Sequence, residues 1–430
     1  MMNDICIDID YQQIYKHGQR IGGDVYLLDR SEGTNVITAT LSDGLGSGVK
    51  ANVLASLTTH MANKMSSSPL EISRSAAIIM DTLPVDKEKG ISYSTFTIAK
   101  ILFSEDKSFI NVSLVEYDNP ESLRFTGSEP VKWDRHASVL NRRNAVKREV
   151  IFTSDFSMRP GDRLIFFSDG VAQAGVSLGE IPSPAAPKPA AKPAYYGAKP
   201  AAQPVRRKNE IGPMGWGEES VRKFVAGVLE KRPEISSRQL AREIVTQAYK
   251  FDNYKANDDI TCVSIYVRKP RRTLIVTGAP RSKESDKKLG DMIRSFDGKV
   301  IVCGGTTSKI VARELGKQIK SDRQPSGSLP PSSLIEGIDL VTEGMLTLSA
   351  VSERLTNRVL LKDMPEDPAK RFINILRDTD QVEFVVGTRL NDDTDDPTMV
   401  AKIGVRFPLI DQMARAMRQY YLQEVEIQYL

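Results

Sequence analysis

The chain has 430 residues, more than one ordinary domain needs, and its 40% apolar and 27% charged residues fit a soluble globular protein rather than a disordered or fibrous one. Its 59 basic and 55 acidic residues nearly cancel, so it lacks the cationic excess of a dedicated nucleic-acid binder. Cys6, Cys262 and Cys303 are too scattered for a disulfide framework or a CxxC metal clip, and His17, His60 and His136 lie in three separate segments. Serine-histidine catalysis and multi-histidine zinc sites therefore find little support. The amino terminus has no basic region followed by an apolar run, and no apolar stretch approaches the ~20 residues of a bilayer span. The expectation is a cytoplasmic protein without a membrane span.

In chain order, strands are predicted at Gly23 to Leu28 and Val36 to Leu41, followed by a helix over 49 to 65. Val49, Val53, Leu57 and Met61 recur every four residues in that helix and define its expected buried face. A second helix is predicted at 70 to 82, and then a hairpin of Ser92 to Phe103 and Ser108 to Tyr117 about an SEDK turn. Leu123 to Phe125, Val150 to Thr153 and Arg163 to Phe167 continue the strand pattern. Between Ile181 and Glu210 stand seven prolines and eight alanines with scattered lysines and the Arg206, Arg207, Lys208 cluster. Such a segment buries too little apolar surface to offset its ordering entropy and is expected to be an extended insertion. Helices at 217 to 231 and 236 to 251, the latter opened by a Ser236/Ser237 cap, and a strand from Ile260 to Val267 complete a first domain.

A second α/β domain begins after Arg268 to Arg272. Its strands are predicted at Leu274 to Thr277 and Lys299 to Cys303, its helices near 284 to 295, 307 to 320 and 411 to 422. Gly304, Gly305, Thr306 and Thr307 lie between a strand and a helix, where helix amides can face an anion. The reading preferred over a ligand site is a plain strand-to-helix turn capped by Thr306 or Thr307. The aspartates of LNDDTDDP are expected to be a solvated acidic loop.

Four acidic motifs stand at strand ends or turns of the first domain: IGGD at Asp24, LSDGLGSG at Asp43, FFSDG at Asp169 and NDDIT at Asp258 and Asp259. Each alone is an ordinary turn. Converging carboxylates, however, suit a pair of hard cations that holds a water for in-line attack on phosphorus.

Taken in order, with GGDVYLL, LSDGLGSGVKANVLAS, YSTFTIAKILF, FTGSEP, MRPGDRLIFFSDGV and NDDITCVSIYV, these motifs resemble the SpoIIE-like branch of the PP2C (PPM) protein phosphatases over about residues 1 to 268. The resemblance implies an α+β fold, an α/β/β/α sandwich of two mostly antiparallel sheets flanked by helices, followed here by the smaller α/β domain at 271 to 430. It implies a bacterial signalling hydrolase that removes phosphate from serine or threonine of a protein, using two Mn²⁺ or Mg²⁺ ions per active site and no covalent phosphoenzyme. Asp43 would bridge the ions, Asp24 and the Gly44 carbonyl would complete one site, and Asp169 and Asp258 the other, with Asp259 as the alternative to Asp258. Catalysis would run through Asp43, Asp169 and the metal-activated water. Arg20, four residues before Asp24, can contact phosphate or stand solvated. The implied partners are a phosphoprotein, such as an anti-sigma-factor antagonist, and a second copy of the chain. The competing reading is a regulatory binding module that keeps the fold without turnover. For residues 271 to 430 a sensory or assembly role is expected.

Overall fold

The computed structural model describes residues 5–30, 36–46, 48–66, 72–82, 94–140, 149–176, 215–324, 326–389, 397–421 and 423–430. The chain divides into two compact units, Ile5–Arg268 and Lys269–Leu430.

The first unit runs β1 (Cys6–Ile14), β2 (Asp24–Arg30), β3 (Val36–Gly44), α1 (Gly48–Ser66), α2 (Ile72–Thr82), β4 (Ser94–Phe103), β5 (Ile110–Tyr117), β6 (Leu123–Thr126), β7 (Glu129–Val131), β8 (His136–Leu140), β9 (Glu149–Met158), β10 (Asp162–Phe167), α3 (Asp169–Ala172), α4 (Glu218–Lys231), α5 (Ser237–Phe251) and β11 (Ile260–Arg268). The strands form a six-stranded sheet in the order β2-β3-β4-β5-β9-β8 and a five-stranded sheet in the order β1-β11-β10-β6-β7. Every pairing in both is antiparallel.

The alternation along β3 explains the layering. Ile37, Ala39 and Leu41 point inward and pack with Ala99, Ile101 and Leu114 against Ile7, Leu164, Phe166, Val263 and Ile265 of the other sheet. Thr38, Thr40 and Ser42 take the opposite face, where the Thr40 hydroxyl donates to Asn63 of α1 at 2.8 Å. On the outside of the six-stranded sheet, Ala62, Ala76, Ile79 and Met80 of α1 and α2 cover Phe96, Ile98 and Val115. On the other flank α4 and α5 cover Phe125, Ile165, Phe167 and Ile260. The first unit is thus the α/β/β/α sandwich of two antiparallel sheets. Ser236 caps α5 as expected, accepting from the Gln239 amide at 3.3 Å, a contact that contributes about 1 kcal/mol.

Several expectations need correction. The strand β1 is absent from the sequence reading, although CIDIDYQQI alternates well enough to pair with β11 along its whole length. In α1 the face that packs is Ala51, Ala55, Thr58, Thr59, Ala62 and Asn63, whereas Val49, Val53 and Leu57 are exposed at 64%, 59% and 46%. Of the four-residue period of larger apolar side chains only Met61 packs against the core, because the helix lies so close to β3 that only small residues fit between them.

The second unit contains β12 (Arg272–Thr277), α6 (Lys283–Ser295), β13 (Lys299–Cys303), α7 (Gly305–Leu315), β14 (Lys320–Ser321), β15 (Ser333–Leu334), β16 (Leu340–Thr342), α8 (Met345–Thr356), α9 (Pro368–Arg377), β17 (Gln381–Val386), α10 (Pro397–Tyr421) and β18 (Glu424–Tyr429). Its sheet has the order β14-β15-β16-β13-β12-β17-β18, and the run from β16 to β18 is parallel. Residues of α6 and α7 cover one face through Leu289, Ile293 and Val311, and residues of α8, α9 and α10 cover the other through Leu348, Phe372 and Met413. The helix expected at 307 to 320 stops at Leu315, where Gly316 turns left-handed at φ 67°. The carboxyl-terminal helix begins fourteen residues before Asp411, at Pro397, and carries Pro408 inside it. The Pro/Ala segment and the acidic run at 390 to 396 lie outside the described residues. Among the described residues no helix is long and apolar enough to cross a membrane.

Candidate metal centre

The antiparallel register places Asp24, at the start of β2, opposite Asp43, near the end of β3. Asp169 opens α3 at the end of β10, and Asp258 and Asp259 precede β11, the neighbour of β10. The two sheets thus deliver these acids from adjacent strand ends. Asp43, Gly44, Asp169 and Asp258 line a cleft of about 1100 Å³ that continues past Glu116, Asp118, Arg135, Glu149, Phe152 and Glu218.

The two carboxylates of NDDIT are used differently. Asp259 is 4% exposed, and its oxygens accept from the Gly23 amide at 2.6 Å and the Lys16 amide at 2.9 Å. Asp258 faces the cleft, 3.4 Å from Lys16 Nζ, with its side chain 45% exposed. The β10–α3 turn lies so close to this loop that a Cβ on Gly170 would stand 2.1 Å from the Asp259 carbonyl oxygen, which requires glycine there. Ser168 ties the same strands, donating to the Asp259 carbonyl at 3.2 Å and accepting from the Thr261 amide at 3.1 Å.

The electrostatics of the cluster are strained. Burial raises the Asp24 carboxyl from 3.8 to about 8, against the hydrogen bond from Thr261 that favours its ionised form. Burial also holds Asp43 well above the carboxylate range, and Asp24, Asp169 and Asp258 push it the same way. Asp169 is raised by burial and by Asp258, although its Oδ2 accepts from Gln173 Nε2 at 2.9 Å. Asp24 Oδ2 accepts from Thr261 Oγ1 at 2.6 Å, while its Oδ1 is buried without a hydrogen-bond partner.

An orphaned carboxylate oxygen and mutually repelling acids are the donor set of a hard divalent cation. Among the described residues no group of three or more His, Cys, Asp or Glu side chains is arranged to hold one ion. Mg²⁺ in particular keeps several waters and takes one or two carboxylates, so the residues present fit such a cation without that group.

Arg20 is exposed in the turn before β2 and does not line the cleft. Among the described residues the cation that does is Arg135, held by Glu116 at 2.8 and 3.1 Å and stacked 4.4 Å from the Phe152 ring. Sequence reading missed Asp118, which lines the cleft at φ 54° and pushes Asp169 upward. Its signal was the Asp-Asn-Pro turn closing β5. In the second unit Gly304 is the N-cap of α7 with no side-chain cap bond, so neither Thr306 nor Thr307 caps it. Both threonines lie within the first helical turn.

No protein-family model matches the chain, and no curated protein matches it in sequence. Solved structures similar to it include protein phosphatase domains. The phosphatase domain of SpoIIE from Bacillus subtilis is similar at 14% identity over 63% of this chain and 95% of that one, with a TM-score of 0.40. RsbX in complex with magnesium is similar at 14% identity over 62% and 98%, with a TM-score of 0.36. The catalytic domain of PstP, with two manganese ions, is similar at 13% identity over 61% and 100%, with a TM-score of 0.33.

Proposed function

We propose that Ile5–Arg268 is a metal-dependent phosphatase that hydrolyses phosphoserine or phosphothreonine on a protein. The observation that carries this reading is the buried, unpartnered Asp24 Oδ1 beside three further aspartates at the floor of an open cleft. Asp43 would be the group shared between two cations, Mn²⁺ or Mg²⁺. Asp24 with the Gly44 carbonyl would serve one of them, and Asp169 with Asp258 would serve the other. When bound, such a pair lowers the pKa of a water between its members and screens the charge of a phosphoryl group.

The chain's own residues fix the geometry. Thr261 holds Asp24 Oδ2 and leaves Oδ1 free, Gln173 holds Asp169 Oδ2, and the Asp259 staple keeps Asp258 at the cleft. Ser94 Oγ donates to the Asp43 carbonyl at 3.1 Å and fixes the end of β3. Preorganised ligands of this kind spare reorganisation at the moment of reaction. Arg20 remains a candidate for phosphate contact only if the substrate extends out of the cleft.

The second unit is assigned a sensory or assembly role, and the substrate class is that of phosphorylated regulatory proteins such as anti-sigma-factor antagonists. The test is hydrolysis of p-nitrophenyl phosphate and of a phosphoserine protein with Mn²⁺, with Mg²⁺ and in EDTA. Turnover restricted to the metal-containing reactions supports the reading. Undiminished turnover in EDTA overturns the mechanism, and phosphoprotein binding without turnover replaces it with the binding-module reading.

A further inference from the structure

In an open parallel sheet, ligands sit outside the carboxyl ends of the strands at the point where strand order reverses. In the second unit that point is unambiguous. From β12 the chain moves outward to β13 and β16, then returns to the other side of β12 with β17 and β18. The reversal lies between β12 and β17.

The ends of these two strands are joined through backbone. The Gly387 amide donates to the Thr277 carbonyl at 2.8 Å and the Arg389 amide to the Ala279 carbonyl at 3.1 Å. A Cβ on Gly387 would stand 2.2 Å from the Ala279 oxygen, so the floor of the crevice carries no side chain at that point. Arg406 of α10 lies over it. A Cβ on Gly278 would meet Arg406 Nη1 at 2.4 Å, and that nitrogen reaches the Gly387 carbonyl only at 3.5 Å. Arg406 Nε is buried with no hydrogen-bond partner. Arg281 and Arg389 stand on the loops leaving β12 and β17, with Arg389 Nε 3.5 Å from the Arg281 carbonyl.

Among the described residues none of these three arginines forms an ion pair. Elsewhere in the unit guanidinium groups are matched to acids: Arg354 to Asp367 at 2.6 Å, Arg371 to Asp322 at 2.6 Å and Arg313 to Asp286 at 2.7 Å. An uncompensated cation in a partly desolvated position is costly, and burial accordingly draws Arg406 below the ordinary guanidinium value. The anion that would offset it is not supplied by the described part of the fold.

We propose that the second unit binds a small phosphate-bearing molecule at the carboxyl ends of β12 and β17, held by Arg406 with Arg281 and Arg389. One guanidinium satisfies a single carboxylate. One guanidinium over the backbone floor and two more on the adjoining loops match a multiply charged phosphate, which accepts several forked hydrogen bonds at once. The site differs from the Gly304–Thr307 turn indicated by the sequence, where no charged side chain stands within the turn.

The test uses the full chain in EDTA, so that no cation held by the aspartates of the first unit can recruit the anion. Calorimetric titrations with pyrophosphate and, separately, citrate are run at fixed ionic strength. Saturable pyrophosphate binding is expected, weakened about tenfold or more by Arg406→Gln and by the exposed pair Arg281→Gln with Arg389→Gln. Arg406→Gln without ligand is expected to melt no lower than the parent, because it removes a partly buried charge that no described acid pairs. If it does not fold, the exposed pair carries the comparison. Absence of saturable pyrophosphate binding, binding of citrate alone, or unchanged affinity in the exposed pair overturns the proposal.

Discussion

The Gly23 amide donates to Asp259 Oδ2 at 2.6 Å, so the second aspartate of NDDIT is spent on backbone while the first faces the cleft. Asp258→Asn and Asp259→Ala should therefore fail in different ways. The Asp258 variant is expected to lose metal-dependent turnover and to melt near the parent temperature. The Asp259 variant leaves the Gly23 and Lys16 amides without their acceptor and should lose about 2–3 kcal/mol of stability. Urea unfolding of the two proteins decides the assignment, and a stable, inactive Asp259 variant would reverse it.

Arg163, 1% exposed at the centre of the five-stranded sheet, is a structural cation. It lies 3.4 Å from the centre of the Tyr266 ring, and its Nη2 donates to the Pro233 and Ile235 carbonyls at 2.9 and 2.6 Å. Burial draws it down to about 10, so it stays charged at neutral pH. It fastens the connection between α4 and α5 to the sheet. Arg163→Ala should cost about 3 kcal/mol, because it strands two carbonyls and removes the stacked guanidinium. A thermal midpoint equal to that of the parent would show that connection to be held by other contacts.

The helix α1 gives a sharper test of packing. Replacing exposed Val49, Val53 and Leu57 together by Gln should change stability by no more than about 0.5 kcal/mol per site, whereas Ala55→Leu alone should cost about 1–3 kcal/mol through overpacking against β3. Chemical denaturation of both variants settles which face is buried. The opposite ranking would restore the face that the four-residue period suggests.

That helix also shows where sequence reading stops. The hairpin of β4 and β5, the capped α5 and the aspartates at strand ends were legible because each is local: β-branched runs, a serine three residues before an amide, an acid in a turn. The inward face of α1 was not, since it is made of alanines and threonines whose burial depends on how near β3 comes. The division of labour between Asp258 and Asp259 was open for the same reason. Adjacent residues of one turn look alike until the Gly23 and Lys16 amides, more than two hundred positions away, hold one of them and leave the other at the cleft. The strand order that reverses at β12 is likewise a property of pairing, not of any segment.

The raised carboxyls make a prediction about pH that does not depend on turnover. Asp24 titrates near 3.8 when unfolded and at about 8 in the folded, metal-free chain. The folded state thus keeps a proton that the unfolded state has released, and metal-free stability must fall as pH rises from about 4 to about 8, then level off. Asp43 and Asp169 are shifted in the same direction and deepen the fall. A divalent cation binds the ionised carboxylates, so its stabilising effect should grow across the same interval as binding displaces fewer protons. Melting curves in EDTA and in excess Mg²⁺ at pH 5 and pH 8 are the measurement. The expected outcome is a small Mg²⁺-induced rise at pH 5, a large one at pH 8, and a weakened pH dependence in Asp24→Asn. An equal rise at both pH values would mean that the cation binds away from these aspartates.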